Sequence, residues 1–466
     1  MHWITRWQRT GQVAAIVIVA TTVVMTWSVV ETRAAAARRA AIIARAAADA
    51  ALEATIRTKD IAFYEQRATR DPQSAGDRAQ IATLYFQRAR ETNQFQDYLR
   101  AEEAARSAIA LRTAHNSAAF GVLASALLAQ HRFVEAREVA RALVAGDPQV
   151  DAFRAMLGET CLELGDYGCS RTAFESIRGQ GRAALASAPR LARWAEIRGD
   201  TAQARRLLRW ARASADSSPE LPREQRAWFH LRMADLDVRQ GRVSGAEREL
   251  RAGLEVLPND HRLLAAMARV ASVRHEWRTA IAYGDSSIAI TLDPATLGVV
   301  SDAYPALGDT ANAREYFQTM QVAVGQQPGT YHRAWSLFLL DHDRQLSEVL
   351  RAAQAELETR RDIYGYDLVA WALYKARRPL EARAAMVNAL SQGTQDALLF
   401  YHAGMIERAL GNAAAAGDYL RRAMAIAPEF DALAPAVARA VLDTLTRDMQ
   451  SAVSGVARPR SSRLTD

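Results

Sequence analysis

The sequence predicts an all-α fold, a right-handed superhelical solenoid of about ten helical hairpins. Three observations predict it. Landmarks recur about every 34 residues along most of the 466-residue chain. Small residues fall in pairs twelve positions apart, and turn and stop residues punctuate the same phase. Proline and glycine are few, as an all-helical chain requires.

The small residue early in each second helix gives the series Ala136, Ser170, Ala204, Ala246, Ala280, Ala313, Ala382 and Ala416, with Glu348 in phase. Twelve positions earlier stand Ala124, Gly158, Ala192, Ala234, Ala268, Ser301, Ser336, Ala370 and Gly404. Antiparallel helices packed ~8–10 Å apart need small side chains where their axes approach. Leu123, Phe174, Leu208, Leu250 and Leu420 fill the space beside them. One hairpin cannot bury its apolar face alone, so stacking supplies the core. Gly165, Gly199, Gly241, Gly308 and Gly411 suit the left-handed cap that ends a first helix. Pro148, Pro258 and Pro428 stand where a second helix stops.

In chain order, residues 1–12 form a short head with Arg6 and Arg9. Residues 13–30 are an uncharged apolar run with Trp7 and Trp27 near its ends. As a helix it would span about 27 Å, close to the ~30 Å hydrocarbon core, and aromatic residues favour membrane interfaces. We read it as a transmembrane anchor, with an uncleaved or cleaved export signal as the alternative. Positive residues flank it on both sides. Their number favours a cytoplasmic body, whereas an N-terminal apolar segment behind a short basic head favours export. The reading adopted is a single-pass membrane protein with an extracytoplasmic (periplasmic) body. Residues 31–72, rich in Ala and Arg, predict a linker helix that ends at Asp71-Pro72, serving as a stalk, a lone helix or a self-associating coil.

The solenoid is expected over 77–430, with hairpins at about 77–111, 117–148, 151–181, 185–214, 227–258, 261–292, 294–326, 329–360, 363–394 and 397–428. A helix at 431–454 would cap the last apolar edge. Residues 455–466 are polar and expected to be disordered.

The motifs Leu157-Gly158, Leu164-Gly165-Asp166-Tyr167 with Phe174, and the whole 397–430 unit, resemble the tetratricopeptide repeat. The resemblance covers roughly 78–430, and the chain is also similar to bacterial membrane-anchored or exported tetratricopeptide proteins. Departures are Glu348 at a small position, Asp341-His342-Asp343 in place of a loop glycine, and an insertion, SADSSPEL, before the fifth hairpin. The resemblance implies recognition of a protein or peptide on a concave face lined by first helices.

Net charge is +7, carried almost wholly by Arg, with Lys only at Lys59 and Lys375. No basic block with interleaved aromatics points to nucleic acid. No P-loop, nucleophile elbow, zincin or dinucleotide motif is present, so no catalytic, cofactor-binding or metal site is expected, and the protein is read as not an enzyme. Asp341-His342-Asp343, with His332, is read as a solvated turn in preference to a metal site. Cys161 and Cys169 share one hairpin, and a disulfide and two buried thiols are both open. Aromatics with a few charges suit a peptide hot spot. The candidate groove is therefore Tyr364, Asp367, Trp371, Tyr374, Lys375, Tyr401, Met405 and Arg408; packing between hairpins is the alternative for Trp371, Tyr374 and Tyr401. The next candidate is the stretch with Trp228, Asp235, Arg239, Arg262 and Arg269. The function read from all this is a membrane-tethered interaction scaffold, serving envelope protein assembly or quality control. The alternatives are a cytoplasmic-facing tether that recruits a regulator or enzyme and, more distantly, a helical-repeat enzyme.

Overall fold

The structure, a computed structural model, describes residues 4–179, 184–325 and 333–456; the side chains of 4–30, 32–36 and 449–456 lie outside the description. Among the described residues there are 22 helices and no strand. A long α1 (Ile4–Arg70) leads into ten hairpins. These are α2 (Ala75–Thr92) with α3 (Phe95–Leu111), α4 (Ser117–Ala129) with α5 (Phe133–Gly146), and α6 (Asp151–Glu163) with α7 (Tyr167–Glu175). They continue as α8 (Ala188–Ile197) with α9 (Thr201–Asp216), α10 (Arg223–Arg239) with α11 (Val243–Val256), and α12 (His261–Val273) with α13 (Trp277–Ile288). Next come α14 (Pro294–Ala306) with α15 (Thr310–Gly325) and α16 (Arg333–Asp341) with α17 (Leu346–Thr359). The array closes with α18 (Ile363–Lys375) and α19 (Pro379–Ala389), α20 (Ala397–Ala409) and α21 (Ala413–Ile426), then α22 (Ala434–Val456).

Local chemistry sets the helix boundaries. Asp260, Asp293, Asp362 and Asp396 each accept backbone N–H bonds at the start of a first helix, and Asp166 and Asp200 do so for α7 and α9. Such caps satisfy donors that the first turn leaves unpaired. All five loop glycines predicted to be left-handed have positive φ. His131, His275, Asp343 and Arg377 take a similar backbone conformation in other hairpins.

The paired small residues lie where the helices cross. Ala124, Ala136, Ala192, Ala204, Ala370 and Ala382 are fully buried. A Cβ added at Gly158 would stand 2.6 Å from the Phe174 ring, and one at Gly404 would stand 2.7 Å from Leu420. Ser170 Oγ donates to the Gly158 carbonyl at 3.1 Å, so this crossing also carries a hydrogen bond. The eighth hairpin departs from the series. Glu348 is exposed, while Val349 and Ala353 of α17 turn into the core. A carboxylate is too costly to bury there without a partner. The SADSSPEL segment is only partly loop: α9 runs on to Asp216 and α10 begins at Arg223.

Two features were not expected. First, the described part of α1 is no free stalk. Ala46, Arg57 and Ile61 are buried. Arg223, at the start of α10, donates to Asp49 and Glu53 of α1 at 2.7 and 3.0 Å, and Arg39 pairs with Glu255 at 2.9 Å. Helix α1 thus crosses from the first hairpin to the fifth. The apolar run 13–30 lies in the portion of α1 whose side chains fall outside the description. Among the described residues no helix is long and apolar enough to cross a membrane.

Second, the solenoid coils back onto itself. Asn93 Nδ2 donates to Thr291 Oγ1, 198 residues away, at 3.2 Å. Arg360 donates to Glu163, 197 residues away, at 3.0 Å. The Arg361 N–H donates to the Leu164 carbonyl at 3.2 Å. The Ile363 N–H donates to the Tyr167 hydroxyl at 2.8 Å, and Thr394 Oγ1 donates to the Ile197 carbonyl. The near-constant offset means that one superhelical turn takes about 197 residues and that successive turns touch. Cys161 and Cys169 form a disulfide, and the loop it closes holds Glu163, Leu164 and Tyr167, three of the groups that reach the next turn.

Candidate functional site

The inner wall of this coil is built from first helices, as their place in each hairpin requires. Two adjoining cavities lie along it, of about 700 and 480 Å³. Arg193 of α8 and Arg239 of α10 border both. Together the cavities form a lumen running from Phe86 and Arg90 of the first hairpin to Leu398 and Phe430 of the last.

A register rule generates the lining. In the second to seventh hairpins the residue after the small first-helix position falls on the side of the axis; in the last two hairpins, Trp371 and Met405 at that position are core residues. The residues on the axis side are Ser125, Glu159, Arg193, Asp235, Arg269 and Asp302. Five of these six border the cavities, and the sixth, Asp235, accepts from Arg269 at 3.0 Å. From Glu159 onward the sign of charge alternates hairpin by hairpin. Burial, the largest influence on Asp235, opposes its charge, yet Arg269, Arg232 and Arg239 hold the carboxyl below its ordinary value. Glu196 accepts from Arg239 at 2.7 Å and from Arg232 at 3.5 Å. Glu159 accepts from Arg190 at 2.5 Å.

Across the lumen the second turn contributes Tyr364. Its ring lies under two guanidiniums, Arg193 at 4.9 Å and Arg333 at 5.4 Å from the centroid, a cation–π arrangement joining opposite walls. Burial raises the Tyr364 hydroxyl pKa even though Arg193 opposes it, so the phenol is neutral near pH 7.

The eight groove candidates separate. Tyr364 borders the lumen, and Arg408 is exposed. Trp371, Tyr401 and Met405 are buried in the core shared by the last hairpins. Trp371 stacks on His402 at 4.1 Å and on Tyr374 at 4.8 Å, and its indole N–H donates to Asp341 at 2.9 Å. These contacts are those of packing between hairpins. Asp367 is fully buried, accepting from Arg333 at 2.6 Å and bonded to His402 Nδ1 at 2.7 Å. Lys375 donates to Asp343 at 3.0 Å, and His342 bonds Asp302 at 2.8 Å; His332 lies outside the described residues. The other stretch fares differently: Trp228, Arg239, Arg262 and Arg269 all border the lumen. Sequence reasoning missed Arg193, Arg232, Arg333 and Arg360. The first was findable one position beyond Ala192. The others depend on how the coil closes.

The geometry can now be set beside known proteins. Residues 397–430 match the tetratricopeptide repeat family model, the same unit whose landmarks recur through the ten hairpins. That unit, α20 with α21, is a tetratricopeptide repeat. No curated protein matches the chain. Among solved structures, a tetratricopeptide repeat protein from Parabacteroides merdae is similar at 15% identity, covering 56% of this chain and 99% of its own, with a TM-score of 0.33. The Cut9–Hcn1 hetero-tetramer of the APC/C is similar at 12% identity, over 85% of this chain and 94% of its own, with a TM-score of 0.32. A human IFIT1 dimer with PPP-AAAA is similar at 12% identity, over 75% and 72%, with a TM-score of 0.35.

Proposed function

We propose that the protein is a membrane-tethered scaffold that holds an extended segment of a partner protein in its lumen. The observation that carries this reading is the pair of adjoining cavities, lined largely by first helices from both superhelical turns and studded with Arg, Tyr364 and Trp228. Cavities of several hundred Å³ with convergent polar groups are where ligands bind, and Arg and aromatic residues dominate binding energy. The tether rests on the apolar run 13–30. The extracytoplasmic placement is supported by the Cys161–Cys169 disulfide, a bond favoured in oxidising compartments. A role in envelope protein assembly or quality control fits that placement.

The test is site-specific photo-crosslinking in cells. A crosslinker at Trp228 or Tyr364 should trap a partner polypeptide, whereas one on the outer face, at Arg383, should not. Equal trapping from both faces would defeat the lumen assignment. Protection of the body from protease until the outer envelope is opened, with retention in the membrane after alkaline carbonate, would support the tether.

A further inference from the structure

The lumen is held together by ion pairs, and the pairing is incomplete at one place. Arg232, Arg239, Arg269 and Arg333 share three carboxylates: Glu196, Asp235 and Asp367. Asp367 is also bonded to His402. Arg193 has no carboxylate within ion-pair distance among the described residues; its hydrogen-bond partner is the Tyr364 hydroxyl at a long 3.4 Å. On the charge ladder its neighbours are already taken, Glu159 by Arg190 and Asp235 by Arg269 and Arg232. Among the described residues, the buried Nε atoms of Arg239 and Arg333 have no acceptor. The nearby acids are committed as well. Asp396 and Asp431 accept backbone N–H groups, Asp302 bonds His342, and Glu163 and Asp362 hold Arg360. A guanidinium has five donors and cannot shed its charge; burial opposes the charge of Arg193, and Glu163 and Glu196 offset this only from beyond ion-pair distance, so its donors lack a carboxylate at close range.

We infer that the Arg193–Tyr364 junction, where the two cavities meet, is a subsite for one acidic side chain of an extended peptide. This deepens the scaffold reading and rests on it. A carboxylate beside the Tyr364 ring would accept from Arg193 and from the unused Nε donors of Arg239 and Arg333, with the fork geometry that favours Arg–carboxylate pairs. A polyanion fits less well. Its regularly spaced charges would pass Glu163, Asp302, Asp396 and Asp431 along the same walls, and base stacking would need more aromatic faces than this junction offers. The alternating ladder instead suits a peptide in which a lone Asp or Glu meets Arg193.

The test is selection of displayed random peptides on the full chain. Chosen peptides are then resynthesised with acetylated and amidated ends, so that only side-chain carboxylates count. Peptides eluted by lumen binding should carry Asp or Glu at one fixed register. Changing that residue to Gln should weaken binding about 10- to 100-fold in the wild type and markedly less in Arg193→Gln, where only Arg239 and Arg333 are left to meet the carboxylate. Tyr364→Phe should retain most of the affinity, since it keeps the ring. If Arg193→Gln does not fold, Arg193→Lys serves: charge without the fork should give an intermediate loss. Lumen-bound peptides without an acidic preference, or indifferent to Arg193, would overturn the subsite and leave the scaffold reading standing. Peptides that crosslink only to the outer face would overturn both. A single-stranded RNA oligomer that binds in place of peptide and is lost in Arg193→Gln would reassign the junction to phosphate.

Discussion

Gly165, Gly199 and Gly241 resemble Gly308 and Gly411 in every local respect. Each ends a first helix with positive φ, between about 69° and 81°. Their surroundings differ. A methyl group at Gly165 would run into the Arg361 carbonyl, and one at Gly199 into the Gly393 carbonyl. One at Gly241 would lie 2.9 Å from the Ala427 Cα. At Gly308 and Gly411 the same methyl would meet nothing within 4 Å. The first group serves two levels of structure at once, the hairpin turn and the seam between coils. The second serves only the turn. Residues that share a local motif can therefore differ in tertiary cost.

The sharpest way to break this comparison is to substitute across the two groups. Gly165→Ala should cost roughly 2–4 kcal/mol, combining left-handed strain with overpacking against backbone. It should also enlarge the radius of gyration in small-angle scattering as the coils part. An unchanged radius would mean that the seam yields without opening. Removing the disulfide with Cys161→Ser and Cys169→Ser should cost about 2–3 kcal/mol for a short closed loop. Its signature is faster hydrogen exchange at the Arg361 and Ile363 amides, which lie far away in sequence but bond to the loop. Exchange that speeds up only within 161–169 would uncouple disulfide from seam. Gly158→Leu acts inside one hairpin, against Phe174, and should cost about 1–3 kcal/mol, lowering the denaturation midpoint with no loosening at the seam. Smallest is Gly411→Ala, about 1–2 kcal/mol from backbone strain alone. A loss there as large as at Gly165 would erase the distinction.

The hairpins were legible because their cause is local and repeated. A small pair such as Ala192 and Ala204, a Gly or Asp at the turn and a proline stop all act within about 34 residues. The seam was not legible, because it sums small rotations over many repeats, and no single residue encodes the sum. That is why Tyr364 lines the lumen against Arg193 of the preceding coil, a partner its own hairpin does not announce, while Trp371, expected on the same wall, stacks on His402 in the core. Arg193 itself was within reach, since in the second to seventh hairpins the residue after the small position falls on the side of the axis. Glu348 misled the register because phase was extended through a hairpin whose loop, Asp341-His342-Asp343, already broke the pattern.

Coils in contact give the molecule an asymmetric mechanics. Like a spring wound to its solid height, it has no travel in compression. Under tension it should stay stiff until the bonds at Arg360, Arg361 and Ile363 rupture, and then extend softly as hairpins slide apart. A chain held between the two turns would leave more readily once those bonds part. Residence time is then set by the strength of the seam as much as by the fit of the lumen.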